Sequence, residues 1–125
     1  MFRLFLVLIF AIFNISIFSH ETIILNSNTQ TVLMGKSVYI YEDRFNALDF
    51  QTISHPDFQK NFILSQSDTI NYSYSPHAYW FRFDIENEDF QTLNWLLEIG
   101  YSHLDSIEFY FEKDNVWTKK KYGDL

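Results

Sequence analysis

The chain has 125 residues, a formal net charge of −7 and no cysteine, which leaves room for one domain and excludes disulfides, thiol catalysis and cysteine-based zinc sites. Its only basic run is Lys119-Lys120-Lys121, and with no basic face suggested elsewhere, nucleic acid is not expected as a partner. Aromatic residues make up 20% of the chain, with 14 Phe, 8 Tyr and 3 Trp, a composition that suits pleated, half-buried strands and sugar-stacking platforms.

The first element is a leader. Met1-Phe2-Arg3 supplies a short positive start, residues 4–18 are almost unbroken Leu, Ile, Val and Phe, and the polar chain begins at Ser19-His20-Glu21. This is the layout of a secretory signal peptide over residues 1–19, with cleavage after Ser19. The apolar stretch falls short of the ~20 residues a spanning helix needs. The product is therefore expected to be exported, to the periplasm or the outer face of the inner membrane. A lead-in over residues 20–34 follows, with one apolar run at residues 23–25, and the main domain is expected over residues 35–125.

Residues 38–41 read as a strand ended by Glu42-Asp43-Arg44. Residues 48–54 suit a short helix with Asp49 in its first turn, stopped before His55-Pro56, because proline restricts its predecessor. Residues 58–64 are ambiguous. Residues 79–86 alternate with period two: Tyr79, Phe81, Phe83 and Ile85 on one face, Trp80, Arg82, Asp84 and Glu86 on the other. After a polar turn at 87–92, residues 94–99 read as the next strand, with Trp95, Leu97 and Ile99 on one side. Residues 106–112 read as a further strand with Ile107, Phe109 and Phe111 on one face, then Lys113-Asp114-Asn115 turns into a last strand over 116–122. Short strands separated by turn signals indicate an all-β sandwich or barrel.

Two registers follow from these patterns. Pairing 79–86 antiparallel with 94–99 so that Arg82 faces Glu98 aligns Phe81 with Ile99, Phe83 with Leu97 and Ile85 with Trp95, so one register satisfies an apolar face and a charge pair together. The same exercise between 94–99 and 106–112 sets Glu98 against Glu108, an unfavourable contact. The loop over 100–105 is therefore expected to cross to a second sheet, as in Greek-key sandwiches and jelly rolls.

Chemistry is sparse. The four histidines (His20, His55, His77, His103) are scattered without metal-ligand spacing, and no nucleophile elbow, P-loop or dinucleotide-binding glycine pattern occurs. Sixteen acidic residues nominate no catalytic pair, and no Asp-x-Asp-x-Asp-Gly calcium loop is present. The reading is a non-enzyme without cofactor or metal. Three features remain as candidate ligand-binding elements. Trp80 and Arg82 share a strand face, either as stacking platform and donor to a ligand or as a structural pair in which Arg82 meets Glu98. The loop over 71–79 is rich in rings, with Tyr72, Tyr74, Tyr79 and His77, and either stacks on a sugar or closes the end of a sandwich. The loop over 100–105 carries Tyr101 and His103, as a binding loop or a simple crossover. The candidate ligand-binding residues are thus Trp80, Arg82, Tyr74, Tyr79, Tyr101 and His103.

The segments Gly35-Lys36-Ser37-Val38-Tyr39-Ile40-Tyr41-Glu42-Asp43, Tyr79-Trp80-Phe81-Arg82-Phe83 with Asn87, Trp95-Leu96-Leu97-Glu98-Ile99-Gly100-Tyr101 and Leu104-Asp105-Ser106-Ile107-Glu108-Phe109-Tyr110 resemble one known family. It is the type 2 extracellular, periplasmic domain of bacterial seven-transmembrane receptors with diverse intracellular signalling modules. The resemblance implies a jelly-roll-like β-sandwich that senses a small-molecule or carbohydrate ligand. The family domain continues past Gly123-Asp124 with further strands and then the membrane helices, so the chain reads as an N-terminal fragment, ending before its last strands and without membrane or output modules. An incomplete sheet would leave an aggregation-prone edge. Contact with the membrane would come only through the signal peptide or a downstream seven-helix unit. The alternative is a free secreted carbohydrate-binding or adhesion module, with a small secreted hydrolase ranked last.

Overall fold

A computed structural model describes residues 21–92, 94–100 and 104–123. They divide between two units, residues 1–92 and 93–125. The expected leader and the candidates Tyr101 and His103 lie outside the described residues. Strands dominate and helix is scarce, so the chain is all-β.

In the first unit, strand β1 (Thr22–Leu25) buries Ile23 and Leu25 and turns Thr22 and Ile24 outward, the alternation a half-buried strand requires. A 3-10 turn at Gly35–Ser37 then leads into β2 (Tyr39–Asp43). Gly35 is buried there, and a β-carbon on it would collide with the backbone carbonyls of Ser67 and Asp68. Only glycine lets the two backbones approach so closely. The expected helix is α1 (Phe50–Ser54), and Asp49 is its N-cap, its carboxylate accepting from the Thr52 N–H at 2.8 Å. The ambiguous stretch divides into a 3-10 helix at Pro56–Asn61 and a short strand, β3 (Ile63–Leu64).

Residues 79–86 do not form one strand. They divide into β4 (Ala78–Arg82) and β5 (Asp84–Asn87), and the chain changes sheets at Phe83. Strand β4 joins an antiparallel sheet of order β3-β2-β4, with Tyr39 opposite Arg82, Tyr41 opposite Trp80 and Glu42 opposite Tyr79. Strand β5 pairs in parallel with β1, Ile23 lying opposite Ile85. The expected hairpin between 79–86 and 94–99 is thereby corrected: both halves of the first segment take other partners, and residues 94–99 carry no strand. Alternation announces two faces but does not choose a partner, and β2 offers tyrosines against which Trp80 and Arg82 pack.

The choice of inner face also differs from the alternation argument. Directly opposed residues share a sheet face, so Tyr39, Tyr41, Trp80 and Arg82 lie together, and it is on this side that the segment after α1 packs. Tyr41 meets Phe58 edge-on at 5.0 Å and Phe62 at 6.0 Å, and Phe58 meets Phe62 at 6.1 Å. Phe62 is itself buried, and the three rings form an aromatic cluster on this face of the sheet. Phe81, on the opposite face, stays 46% exposed.

The second unit contains the hairpin read from the sequence: β6 (Ile107–Lys113) and β7 (Val116–Tyr122), antiparallel, with Lys113 opposite Val116. The two linking residues, Asp114 and Asn115, both have positive φ, 53° and 60°, which is the type I′ turn that Asx residues tolerate and strand twist favours. The lysine run is engaged within the hairpin. Lys119 bridges to Glu108 at 2.8 Å, Lys120 lies over Phe111, and Lys121 is opposite Glu108. The expected crossover through 101–103 lies outside the described residues.

Candidate functional site

Strand β2 ends in two acids that point to opposite faces of the sheet. Asp43 faces inward, 4% exposed. Its carboxylate accepts from the backbone N–H groups of Ala47 at 3.3 Å and Leu48 at 2.9 Å, which folds the following turn back onto the strand. Burial alone would raise the Asp43 carboxyl; the N–H groups of Leu48, Ala47 and Phe45, joined by the Trp80 indole, outweigh it and hold the group below its usual range. On the same face Arg82 donates to Gln59 Oε1 at 2.5 Å and lies 4.3 Å over the Tyr39 ring and 5.3 Å from that of Phe62. Gln59 in turn donates to the carbonyls of Ile53 at 2.7 Å and His55 at 3.0 Å, where α1 ends. Arg82 therefore ties β4 to the end of the helix. A guanidinium over aromatic faces with its N–H groups directed at an amide is a scaffold arrangement.

Glu42 faces the other way and organises the tyrosine loop. His77 Nδ1 lies 2.5 Å from Glu42 Oε1, and because a carboxylate only accepts, Nδ1 carries the proton and donates. The Tyr79 hydroxyl donates to the same oxygen at 3.4 Å and sits 3.1 Å from the Ser75 hydroxyl. The other oxygen, Oε2, accepts from Arg44 Nε at 3.3 Å. The His77 hydrogen bond, with Arg44 assisting, holds the Glu42 carboxyl below its usual range in spite of partial desolvation. The Tyr72 ring stacks on Tyr79 at 4.1 Å and 11°. Burial, then the nearby Tyr79 and Glu42, raise the Tyr72 phenol, so it remains neutral.

Backbone devices hold this loop in place. Asn46, at φ 51°, acts as a clamp: its amide nitrogen donates to the Pro76 carbonyl at 3.0 Å and its amide oxygen accepts from the Ala78 N–H at 2.6 Å. This continues the β2–β4 ladder through a side chain. Asn71 accepts from the Ser73 N–H at 2.8 Å, fixing the bend where Ser73 takes φ 53°. Tyr74, on the loop so anchored, is 96% exposed. Beside Glu42 an open hollow of about 270 Å³ runs along the strand end, lined by Tyr41, Glu42, Asp43, Arg44, Phe45, Ala47 and Leu48.

Of the six candidates, the structure brings Tyr74 and Tyr79 into one loop system and places Trp80 and Arg82 beneath the opposite face, among core rings. Tyr101 and His103 lie outside the described residues, and Glu98, in the second unit, carries no strand. Sequence reasoning missed Glu42, Asp43, Asn46 and Gln59. The two acids had been read only as a strand terminator, and nothing local marks Asn46 or Gln59. The paired acids before a turn were the one usable signal, since adjacent strand residues must serve opposite faces. Among the described residues no group of three metal-ligating side chains assembles, and no helix is long and apolar enough to cross a membrane.

Residues 35–125 match the family model described as 7TMR-DISM extracellular 2. The chain belongs to that family. The matched stretch begins at the close-approach glycine Gly35 and takes in the whole three-stranded sheet. The 7TMR-DISM extracellular 2 domain is an extracellular sensory domain of seven-transmembrane receptors, so the location is an exported one, and the family is a receptor class rather than an enzyme class. No curated protein matches the chain.

Proposed function

We propose that this domain senses a carbohydrate or another small polar molecule at the loop over 71–79, after export to the periplasm by the signal peptide of residues 1–19. The carrying observation is the anchored tyrosine loop: Tyr72 and Tyr79 stacked and tied to Glu42, with Tyr74 displayed at its turn. Rings held rigidly with hydroxyl and carboxylate groups beside them supply stacking and directional hydrogen bonds at little ordering cost. In this reading Tyr74 and Tyr79 belong to the ligand face, while Trp80 and Arg82 support it from beneath. A jelly-roll-like arrangement of the strands is part of the same proposal, supported by the change of sheet at Phe83. The test is isothermal titration of the chain against saccharides identified on a glycan array. Tyr74→Ala should weaken binding by about 1 kcal/mol, roughly fivefold, while the unfolding midpoint stays where it was. Undiminished binding by that variant would remove the loop from the site.

A further inference from the structure

We infer that the ligand of this site carries a protonated amine, which takes the place of Arg44 on Glu42; the inference rests on the site proposed above and deepens it. The two oxygens of Glu42 are not equivalent. Oε1 is occupied from within the loop system by His77 and Tyr79, which also hold the carboxylate in place. Among the described residues Oε2 is held only by Arg44, whose side chain is 72% exposed and lies on the turn after the strand. An exposed ion pair of this kind contributes little and exchanges readily, so Oε2 is the open position of an otherwise fixed carboxylate.

The surroundings favour a cation there. The titratable groups that face Glu42 are His77, Arg44, Tyr79 and Tyr72. His77 donates its Nδ1–H to Oε1, whereas Oε2 already accepts from a cation, the Arg44 guanidinium, so displacing Arg44 leaves a carboxylate oxygen whose partner in the structure is positively charged. Tyrosine ring faces attract cations through their quadrupole, and Tyr79, whose hydroxyl reaches Glu42, brings such a ring to the site. A neutral hydroxyl could occupy Oε2, but a charge-assisted bond is about twice as strong. A carboxylate or phosphate on the ligand would meet the negative charge of the Glu42 carboxylate and be disfavoured. An amino sugar meets both demands of the site, a pyranose ring for the tyrosines and an ammonium for Oε2.

Three probes differ at one substituent: glucose, glucosamine and N-acetylglucosamine, titrated calorimetrically into the chain at pH 7 and low salt. Glucosamine should bind about tenfold more tightly than either neutral sugar, and added salt should narrow the gap. Glu42→Gln should bring the ratio of dissociation constants for glucosamine and glucose close to one. Arg44→Ala, an exposed change without folding risk, should widen that ratio by removing the competing cation. A ratio near one in the unaltered chain, tighter binding of N-acetylglucosamine, or a narrowed ratio in Arg44→Ala overturns the inference. If the sugars bind equally and Tyr74→Ala weakens all of them, the tyrosine site stands and only the amine is lost. Binding of none of the three overturns both.

Discussion

Glu42 and Asp43 are neighbours of the same chemistry, yet they serve opposite purposes because a strand turns successive side chains to opposite faces. On the Asp43 side the carboxylate is met by backbone N–H groups of the following turn and by the indole of Trp80, and Arg82 grips the Gln59 amide. On the Glu42 side the partners are side chains, half-exposed or fully exposed. Partners supplied by the backbone make a scaffold. Partners supplied by movable side chains leave a position that a ligand can take.

The most severe way to break this contrast is Asp43→Ala, which would orphan two backbone N–H groups in a buried turn. A loss of about 3 kcal/mol in urea denaturation is expected; a loss below about 1 kcal/mol would show the turn to be held by something else. Gly35→Ala tests the scaffold at a second point. The added methyl must push the backbone of residues 67 and 68 away, and a loss of about 2 kcal/mol is expected in the same assay.

Acid sharpens the contrast between the two carboxylates. Both are depressed in the folded state from the ordinary 4.5 for Glu42 and 3.8 for Asp43. Their contribution is therefore fully present above those values and is lost as pH falls through the lower folded ones. The thermal midpoint should be level between about pH 7 and 5 and fall below about pH 4.5. Asp43→Asn should flatten that fall more than Glu42→Gln does; the reverse order would contradict the division of roles. In the second unit, Asn115→Ala must hold a positive φ of 60° and should cost about 1 kcal/mol without altering ligand binding. Smallest of all should be the effect of Glu42→Gln on the unfolding midpoint at pH 7, since its replacement retains a hydrogen-bonding amide on an accessible face.

Much of the molecule was legible because the forces concerned are local. The hairpin of β6 and β7 needed only an alternating pattern and an Asp-Asn turn. The helix needed an aspartate near its start and a His-Pro after it, although Asp49 caps it from outside where the sequence placed it in the first turn. Gly35 and the Trp-x-Arg strand pointed to the family, and the tyrosine loop announced itself by composition. The partner of Arg82 was not legible. The sequence offered a good local match with Glu98 on the next segment, while the pairing in the structure joins β4 to the earlier β2, whose tyrosines hold the guanidinium as a neighbouring strand could not.

By itself, then, the sequence determined the all-β character, the turns and the family, because each depends on residues a few positions apart. Tertiary structure alone decided which face of residues 79–86 meets the core, where that segment changes sheets, and that Glu42, His77 and Tyr79 converge. Alternation has two equivalent faces and many acceptable registers, and only the competition among distant partners for the same ring-lined surface selects one.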